Sequence, residues 1–495
     1  MKKYFFGYFL TSLFNVLSLK LYANILSLDQ FGEFSYLQSF FIIISTFFSK
    51  FVGQALYKYY TEYSLDDARF SAFARVIKEY IVAYIILIVL IFCFLSNYIG
   101  YGFLDSKLIS VIFITVFLFF VDIQNAYLQT SNQPSAFIRN EILRCILKLI
   151  LPYLFMRYIS HTIGSFLLGF AVAHFITPLI QVIKSAISSN SKDYKVAIDT
   201  DESRRIRAMI LKYSYAISIW YLMIQLVNYV DRIFLFDKYG SEIIGKYSAN
   251  FSVFSFASQI IAMPLISALH PKLLKLTTDT DEMKSSLQSL LNVYSNNYIK
   301  IQFIIVGFLV FWYKEITTIL LNAHFILSFW EIFALVVGYS FWNLGSYGNK
   351  IFETSSNTGS MISTLLISIA IYIPLLYILG HFIQEHSIFL SKAIMYFSYP
   401  LIQMGCNRIY LRKGVRQVQW NPKIFKALFI ASLWFLGFWV YSHLPFLDVP
   451  NIIVAIFYKV VFFLTWLFLI LLALIDKSDW QFILNFKERA NDLFK

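Results

Sequence analysis

The side chains that could do chemistry in this sequence are ionisable and hydroxyl groups set inside long apolar runs. One series reads Ser35, Ser39, Thr46 and Lys50, with Gln38, Ser45 and Ser49 beside it. Steps of four and seven place these residues on one face of a helix that turns about 100° per residue. A second run repeats the design with Ser248, Ser252, Ser255 and Gln259. Other apolar runs carry Lys20 with Asn24, Asp122 with Asn125 and Gln129, Lys148, Asp231 and Arg232 after Gln225 and Asn228, then Glu331 and Lys392. An ionised group in hydrocarbon is costly, so such residues face a cavity, a partner or an interface. Lys20, Lys50, Lys148 and Lys392, with Ser39, Thr46 and Gln259, form a candidate polar cavity for a substrate. Cations outnumber acids among these positions, and Coulomb attraction in a desolvated cavity favours an anionic ligand. Asp122, Asp231, Arg232 and Glu331 are candidates for ion coupling or gating, because a carboxylate can hold a proton or a sodium ion. Structural roles compete with these. Hydroxyls bond between helices, Lys50 can snorkel to the interface, and Asp231 with Arg232 can neutralise each other near the membrane surface.

Catalytic signatures are absent. There is no HExxH and no GxSxG. The nearest approach to a nucleotide-binding loop, GSEIIGKY from Gly240 to Tyr247, has Tyr247 where a magnesium-binding Ser or Thr belongs. Cys93, Cys145 and Cys406 are scattered, without CxxC or Cys/His spacing, so no metal site or disulfide framework is expected. No cofactor and no catalytic residue is expected, and the chain reads as a transporter, not an enzyme. A membrane glycosyltransferase or polymerase is the enzymatic alternative, but the large outer loop of such enzymes has no counterpart here.

The elements that position these groups are membrane spans. Hydrophobic residues make up 59% of the 495, charged residues 14% and aromatics 19%, including 53 Phe. Mean hydropathy is +0.65. A soluble domain carries nearer a quarter charged residues. A span needs roughly 20 mainly apolar residues. Such runs occur near 4–26, 34–57, 80–98, 108–128, 141–159, 163–185, 211–235, 244–270, 298–313, 327–349, 359–379, 387–406, 424–442 and 451–475. The expected fold is therefore all-α and polytopic, with about fourteen transmembrane helices.

The net charge of +13 would point to nucleic acid in a soluble protein. Here it follows loop alternation instead. Lys192, Lys195, Arg204, Arg205, Arg207 and Lys212 share one connection, and Arg408, Arg412, Lys413, Arg416, Lys423 and Lys426 another. Both fall inside if both termini are cytoplasmic, as the positive-inside rule requires. The tail from Asp476 to Lys495 reads as an interfacial amphipathic helix.

Segments 8–56 and 221–269 align without gaps at an offset of 213, pairing Asn15 with Asn228, Gly32 with Gly245, Ser35 with Ser248 and Ser39 with Ser252. Six helices separate the copies, so the halves share an orientation, an arrangement suited to alternating access. The expected organisation is a six-helix lobe over 1–210, a second over 211–420, and two further helices with the tail over 421–495.

The stretches FGEFSYLQSF, DRIFLFDKYGSEIIGKYSANFSVFS and ALHPKLLKL resemble those of Wzx-type O-antigen flippases in the multidrug/oligosaccharidyl-lipid/polysaccharide exporter superfamily. That resemblance implies a MATE-like pair of lobes in a bacterial inner membrane. It implies translocation of an undecaprenyl-diphosphate-linked oligosaccharide, an O-antigen, capsule or exopolysaccharide repeat unit. A cationic lumen would meet the diphosphate, with a proton or sodium ion as coupling partner. A polysaccharide polymerase and a chain-length regulator are the implied protein partners. Drug/cation antiporters of the MATE type share the superfamily and form the alternative reading.

Overall fold

The computed structural model describes residues 2–99, 105–188, 200–274, 281–354, 358–410, 435 and 452–474. Among them lie fourteen α-helices and two single-turn 3₁₀ helices, with no strand. The helices are α1 (Lys2–Ile25), α2 (Leu28–Tyr63), α3 (Asp67–Ile99), α4 (Ser106–Thr130), α5 (Pro134–Tyr158), α6 (Ile163–Ser188) and α7 (Thr200–Tyr239). There follow α8 (Ser241–Leu274), α9 (Asp281–Phe311), the short α10 (Tyr313–Leu320), α11 (Phe329–Thr354), α12 (Thr358–Phe382), α13 (Ser387–Tyr410) and α14 (Ile452–Leu474). Seven of them, α2, α3, α4, α6, α7, α9 and α12, contain stretches long and apolar enough to cross a bilayer. The fold is an all-α, multi-pass membrane architecture. The helix expected over 424–442 lies, apart from Phe435, outside the described residues, as does the tail after 474.

Local chemistry sets the helix ends. Ser27 and Gln30 form a reciprocal capping box that starts α2, with both bonds at 3.2 Å. The Asp105 carboxylate accepts from the Lys107 N–H at 2.7 Å to start α4. Pro134 opens α5, where its missing N–H has no cost. Gly240, with φ of +85°, alone separates α7 from α8, a left-handed position that suits glycine.

Several helices outrun the apolar runs that mark them. Helix α2 has 36 residues and α7 has 40, about 54 and 60 Å long at 1.5 Å per residue. Both exceed the ~30 Å hydrocarbon core and project beyond it. Residues 281–297, which lie between the apolar runs at 244–270 and 298–313, are the first half of α9. Hydropathy marks where lipid begins, whereas backbone hydrogen bonding carries a helix past that boundary. Helix α5 likewise begins at Pro134 and not near 141.

The residues fall into two compact units. The first is Met1–Phe256 with Thr317–Leu327 and Ser356–Ser391; the second is Ala257–Ile316 with Ser328–Ser355 and Lys392–Lys495. In the first, α2 packs chiefly against α7 and α4, α5 against α6 and α1, and α12 against α7. Tyr22 and Phe34 meet Phe166 edge to face at 4.9 and 5.0 Å, locking α1 and α2 onto α6. In the second, α9 packs against α11 and α14, and Trp342 stacks on Tyr399 at 4.7 Å.

Candidate functional site

The hydroxyl stripe of α2 is a packing face. Ser35, Ser39, Ser45, Thr46 and Ser49 are all buried. Ser39 donates to the Ser35 carbonyl at 2.9 Å, and Ser45 to that of Ile42 at 3.3 Å. Such back-bonding satisfies a hydroxyl within its own helix, and the small side chains let α4 and α7 come close. Ser49 reaches further, donating to Asp122 Oδ2 at 2.8 Å. Lys50, next along and half-buried, turns toward α7, its Nζ 5.4 Å from the centre of the Tyr221 ring. This is cation–π range.

Asp122 belongs to a charged cluster, recognised only in part from sequence, in which Glu141 and His174 are buried and Asp122, Arg144 and Lys148 half-buried. Asn125 donates to Glu141 Oε1 at 2.7 Å, and Arg144 pairs with the other Glu141 oxygen. Lys148 lies 3.5 Å from Asn15 Oδ1 and 5.5 Å from the centre of the Phe170 ring. His174, 1% exposed, bonds the Phe170 carbonyl at 2.9 Å. The cluster joins α1, α2, α4, α5 and α6. Its carboxylates, Asp122 and Glu141, match its cations, Arg144 and Lys148. The available signal was Glu141, Arg144 and Lys148 at steps of three and four, one face of a helix. An assumed helix start near 141 hid it by setting Glu141 at the membrane boundary. From Pro134, Glu141 and Arg144 lie about 10 and 15 Å along the axis.

Asp231 and Arg232 are both buried, at 0% and 2% exposure, and engage separate partners. Asp231 Oδ2 accepts from the Tyr247 hydroxyl at 2.6 Å. Arg232 donates to Gln38 Oε1 at 3.3 Å and stacks 4.3 Å from the centre of the Tyr229 ring. Successive helix positions point about 100° apart, so neighbours in sequence need not be neighbours in charge. Lys20 is exposed on α1.

At the end where α1 meets α2 and α7 meets α8, the first unit is tied together. Ser241 donates to Asp29 Oδ1 at 2.7 Å. Asn322 donates to the Ala23 carbonyl at 3.0 Å, and Asn250 to that of Phe325 at 2.7 Å. A Cβ on Gly32 would run into the Ser241 carbonyl, and one on Gly245 would run into the Leu28 carbonyl. Leu28 and Ser241, like Gly32 and Gly245, are related by the offset of the sequence repeat. The crossing of α2 and α8 is therefore reciprocal, each glycine admitting the other helix's backbone.

The second unit carries neutral polar contacts. Gln259 donates to the Tyr339 hydroxyl. Gln302 donates to Ser258 at 3.1 Å and Ser340 at 2.7 Å. Lys392 is 1% exposed, with Nζ 5.4 Å from the centre of the Tyr396 ring. Glu331 accepts from the Ser328 N–H and hydroxyl, both at 2.7 Å, and caps the start of α11. The substrate candidates thus divide, with Lys20, Ser39, Thr46, Lys50 and Lys148 in the first unit and Gln259 and Lys392 in the second.

The fold has solved relatives. The lipid II flippase MurJ, in an inward closed conformation, matches with a TM-score of 0.70 and 14% identity, over 95% of this chain and 99% of that one. An inward-facing multidrug resistance MATE family transporter of the MOP superfamily matches at 0.59 with 12% identity, over 81% and 94%. The MATE transporter VcmN of Vibrio cholerae matches at 0.56 with 13% identity, over 83% and 95%. No curated protein sequence matches. The model of the family described as polysaccharide biosynthesis protein matches residues 4–277, more than half of the chain, and the chain belongs to that family.

Proposed function

We propose that this protein flips an oligosaccharide linked to undecaprenyl diphosphate from the inner to the outer leaflet of a bacterial inner membrane. Both termini are cytoplasmic in this reading, and six-helix lobes over 1–210 and 211–420 alternate access to a cavity between them. Family membership supports a role in polysaccharide assembly, and the O-antigen or capsular repeat unit is the cargo that assembly requires. The observation that carries the transport mechanism is the reciprocal α2–α8 crossing at Gly32 and Gly245. It joins the two copies of a repeat through backbone contact and a few hydrogen bonds. A crossing of that kind can part without exposing a large apolar core. The basic stretch 192–212 leads into the end of α7 far from Gly240, and the positive-inside rule supports reading the crossing as the outer gate.

In this reading Lys50, on the α2 face turned toward α7, meets the diphosphate. The half-buried Asp122 and the buried Asp231 are the carboxylates offered for proton or sodium coupling. The test is translocation of a fluorescent lipid-linked oligosaccharide in proteoliposomes, with and without imposed proton and sodium gradients. Gradient-dependent flipping is the expected result. Efflux of cationic drugs with no flipping would instead select the MATE-type antiporter.

A further inference from the structure

Helix α5 is interrupted by Pro152, a buried residue of the first unit. Proline has no amide hydrogen, so the carbonyl four residues earlier, that of Lys148, has no partner within the helix. A buried carbonyl left unpaired is costly. The Tyr22 hydroxyl of α1 meets it, donating to the Lys148 carbonyl at 2.5 Å. We propose that α5 bends at Pro152 as the protein cycles, and that Tyr22 is a positioning residue whose hydroxyl, standing in for the missing amide, holds the bend in the present arrangement. When that bond breaks, residues 134–151 swing and carry Glu141, Arg144 and Lys148 with them.

Three observations lead there. The first is that α1 grips one residue of α5 twice. Besides the carbonyl contact, the Lys148 ammonium lies 3.5 Å from Asn15 Oδ1. Asn15 and Tyr22 are seven residues apart, two turns, and share one face of α1. Tyr22 is 5% exposed and its ring is set edge-on against Phe166, which aims the hydroxyl. A bond from the side chain of another helix can open and close without unwinding α5.

The second observation is the close approach of α6. A Cβ on Gly169 would lie 2.7 Å from the Leu151 carbonyl oxygen and 2.8 Å from Pro152 Cα. The α6 backbone therefore rests directly on the bend, with no side chain there to interlock and resist rotation. The third is the state of the segment that swings. Asn140 Nδ2 and Arg144 Nε are buried and find no acceptor among the described residues. Unpaired buried donors raise the free energy of this arrangement and so lower the cost of reaching another. Glu141 lies eleven residues before Pro152, about 16 Å along the axis. A change of about 20° at the proline would move it by about 6 Å.

The proposal rests on the transport reading only for its rate measurement. The test places spin labels at Thr61→Cys on α2 and Arg139→Cys on α5, both exposed, in a chain with Cys93, Cys145 and Cys406 replaced by serine. Their distance is read in nanodiscs by double electron–electron resonance. Tyr22→Phe should enlarge a second, displaced population, raising its ratio to the first about five- to tenfold, the effect of one hydrogen bond. Pro152→Ala restores the amide and should remove that population with or without the Tyr22 hydroxyl. Other neighbours of the hydroxyl lose it equally in both backgrounds, so rescue by Pro152→Ala singles out the Lys148 carbonyl. In proteoliposomes, Pro152→Ala should slow flipping of a lipid-linked oligosaccharide at equal protein content. One distance population in every variant overturns the proposal. So does a Tyr22→Phe population that persists with Pro152→Ala, or flipping at the parent rate once the bend is removed. Distances that respond as expected in a parent that flips nothing would leave the hinge standing and sink the flippase reading.

Discussion

Replacing Gly32 with alanine tests the α2–α8 crossing directly. The added Cβ would lie 2.6 Å from the Ser241 carbonyl carbon and nearer still to its oxygen. Carbon atoms rest at about 3.5–4.0 Å, so the helices must separate by roughly 1 Å at this point. Overpacking of this kind costs about 1–3 kcal/mol. Alanine also favours a helix over glycine by about 1 kcal/mol, but α2 is helical whether the crossing is closed or parted, so that gain cancels. The ratio of parted to closed crossing should therefore rise about five- to 150-fold. Gly245→Ala should act in the same way, because its Cβ would meet the Leu28 carbonyl and lie 3.1 Å from the Gly32 nitrogen. Gly53→Ala is the internal control, since a Cβ there meets only the Ala126 methyl at 3.5 Å, an ordinary contact. The assay is oxidative cross-linking of Asp29→Cys with Ser241→Cys, whose native side chains already bond at 2.7 Å, in a chain with Cys93, Cys145 and Cys406 replaced by serine. Cross-link yield should fall with Gly32→Ala and Gly245→Ala and hold with Gly53→Ala. Surface polysaccharide should fall in parallel at constant membrane abundance. Equal yields and equal export in all three variants would refute the closed crossing as a gate.

Other outcomes follow from the buried charges and the topology. Glu141→Ala strips Arg144 and Asn125 of their acceptor and should destabilise the protein by about 3–5 kcal/mol; adding Arg144→Met should recover much of that, read as the thermal midpoint in detergent. If Glu141→Ala proves as stable as the parent, the pair is not buried as the structure places it. Lys50→Ala should impair translocation while the protein still inserts, and Lys50→Arg should retain part of the activity because charge persists as geometry changes. Normal export at normal protein level in Lys50→Ala would remove Lys50 from the binding site. Reporter fusions at Lys195 and near Asp448 should report opposite compartments, and the same compartment for both would break the proposed topology.

Much about this protein is legible in its sequence. A chain with 59% hydrophobic and 14% charged residues cannot dissolve as a globule, and hydropathy is a local property that a window of residues reveals. The repeat offset paired Gly32 with Gly245 without coordinates, because repeats preserve spacing. What the offset could not say is that these glycines meet. That contact depends on helices more than 200 residues apart in the chain, and only their tertiary crossing brings carbonyl to Cα. The charged cluster shows the same division. Lys148 and Asp122 stood out as costly groups in apolar runs, but Glu141 and Arg144 did not. Whether a charge near a helix start sits in solvent or in the bundle depends on where the neighbouring helices end. The roles of Asp231 and Arg232 were likewise a tertiary matter. Adjacent in sequence, they point in different directions around α7, and packing gave one Tyr247 and the other Gln38. Composition and period choose the medium and the helices. Which buried charge meets which partner is set by long-range packing, which no local pattern encodes.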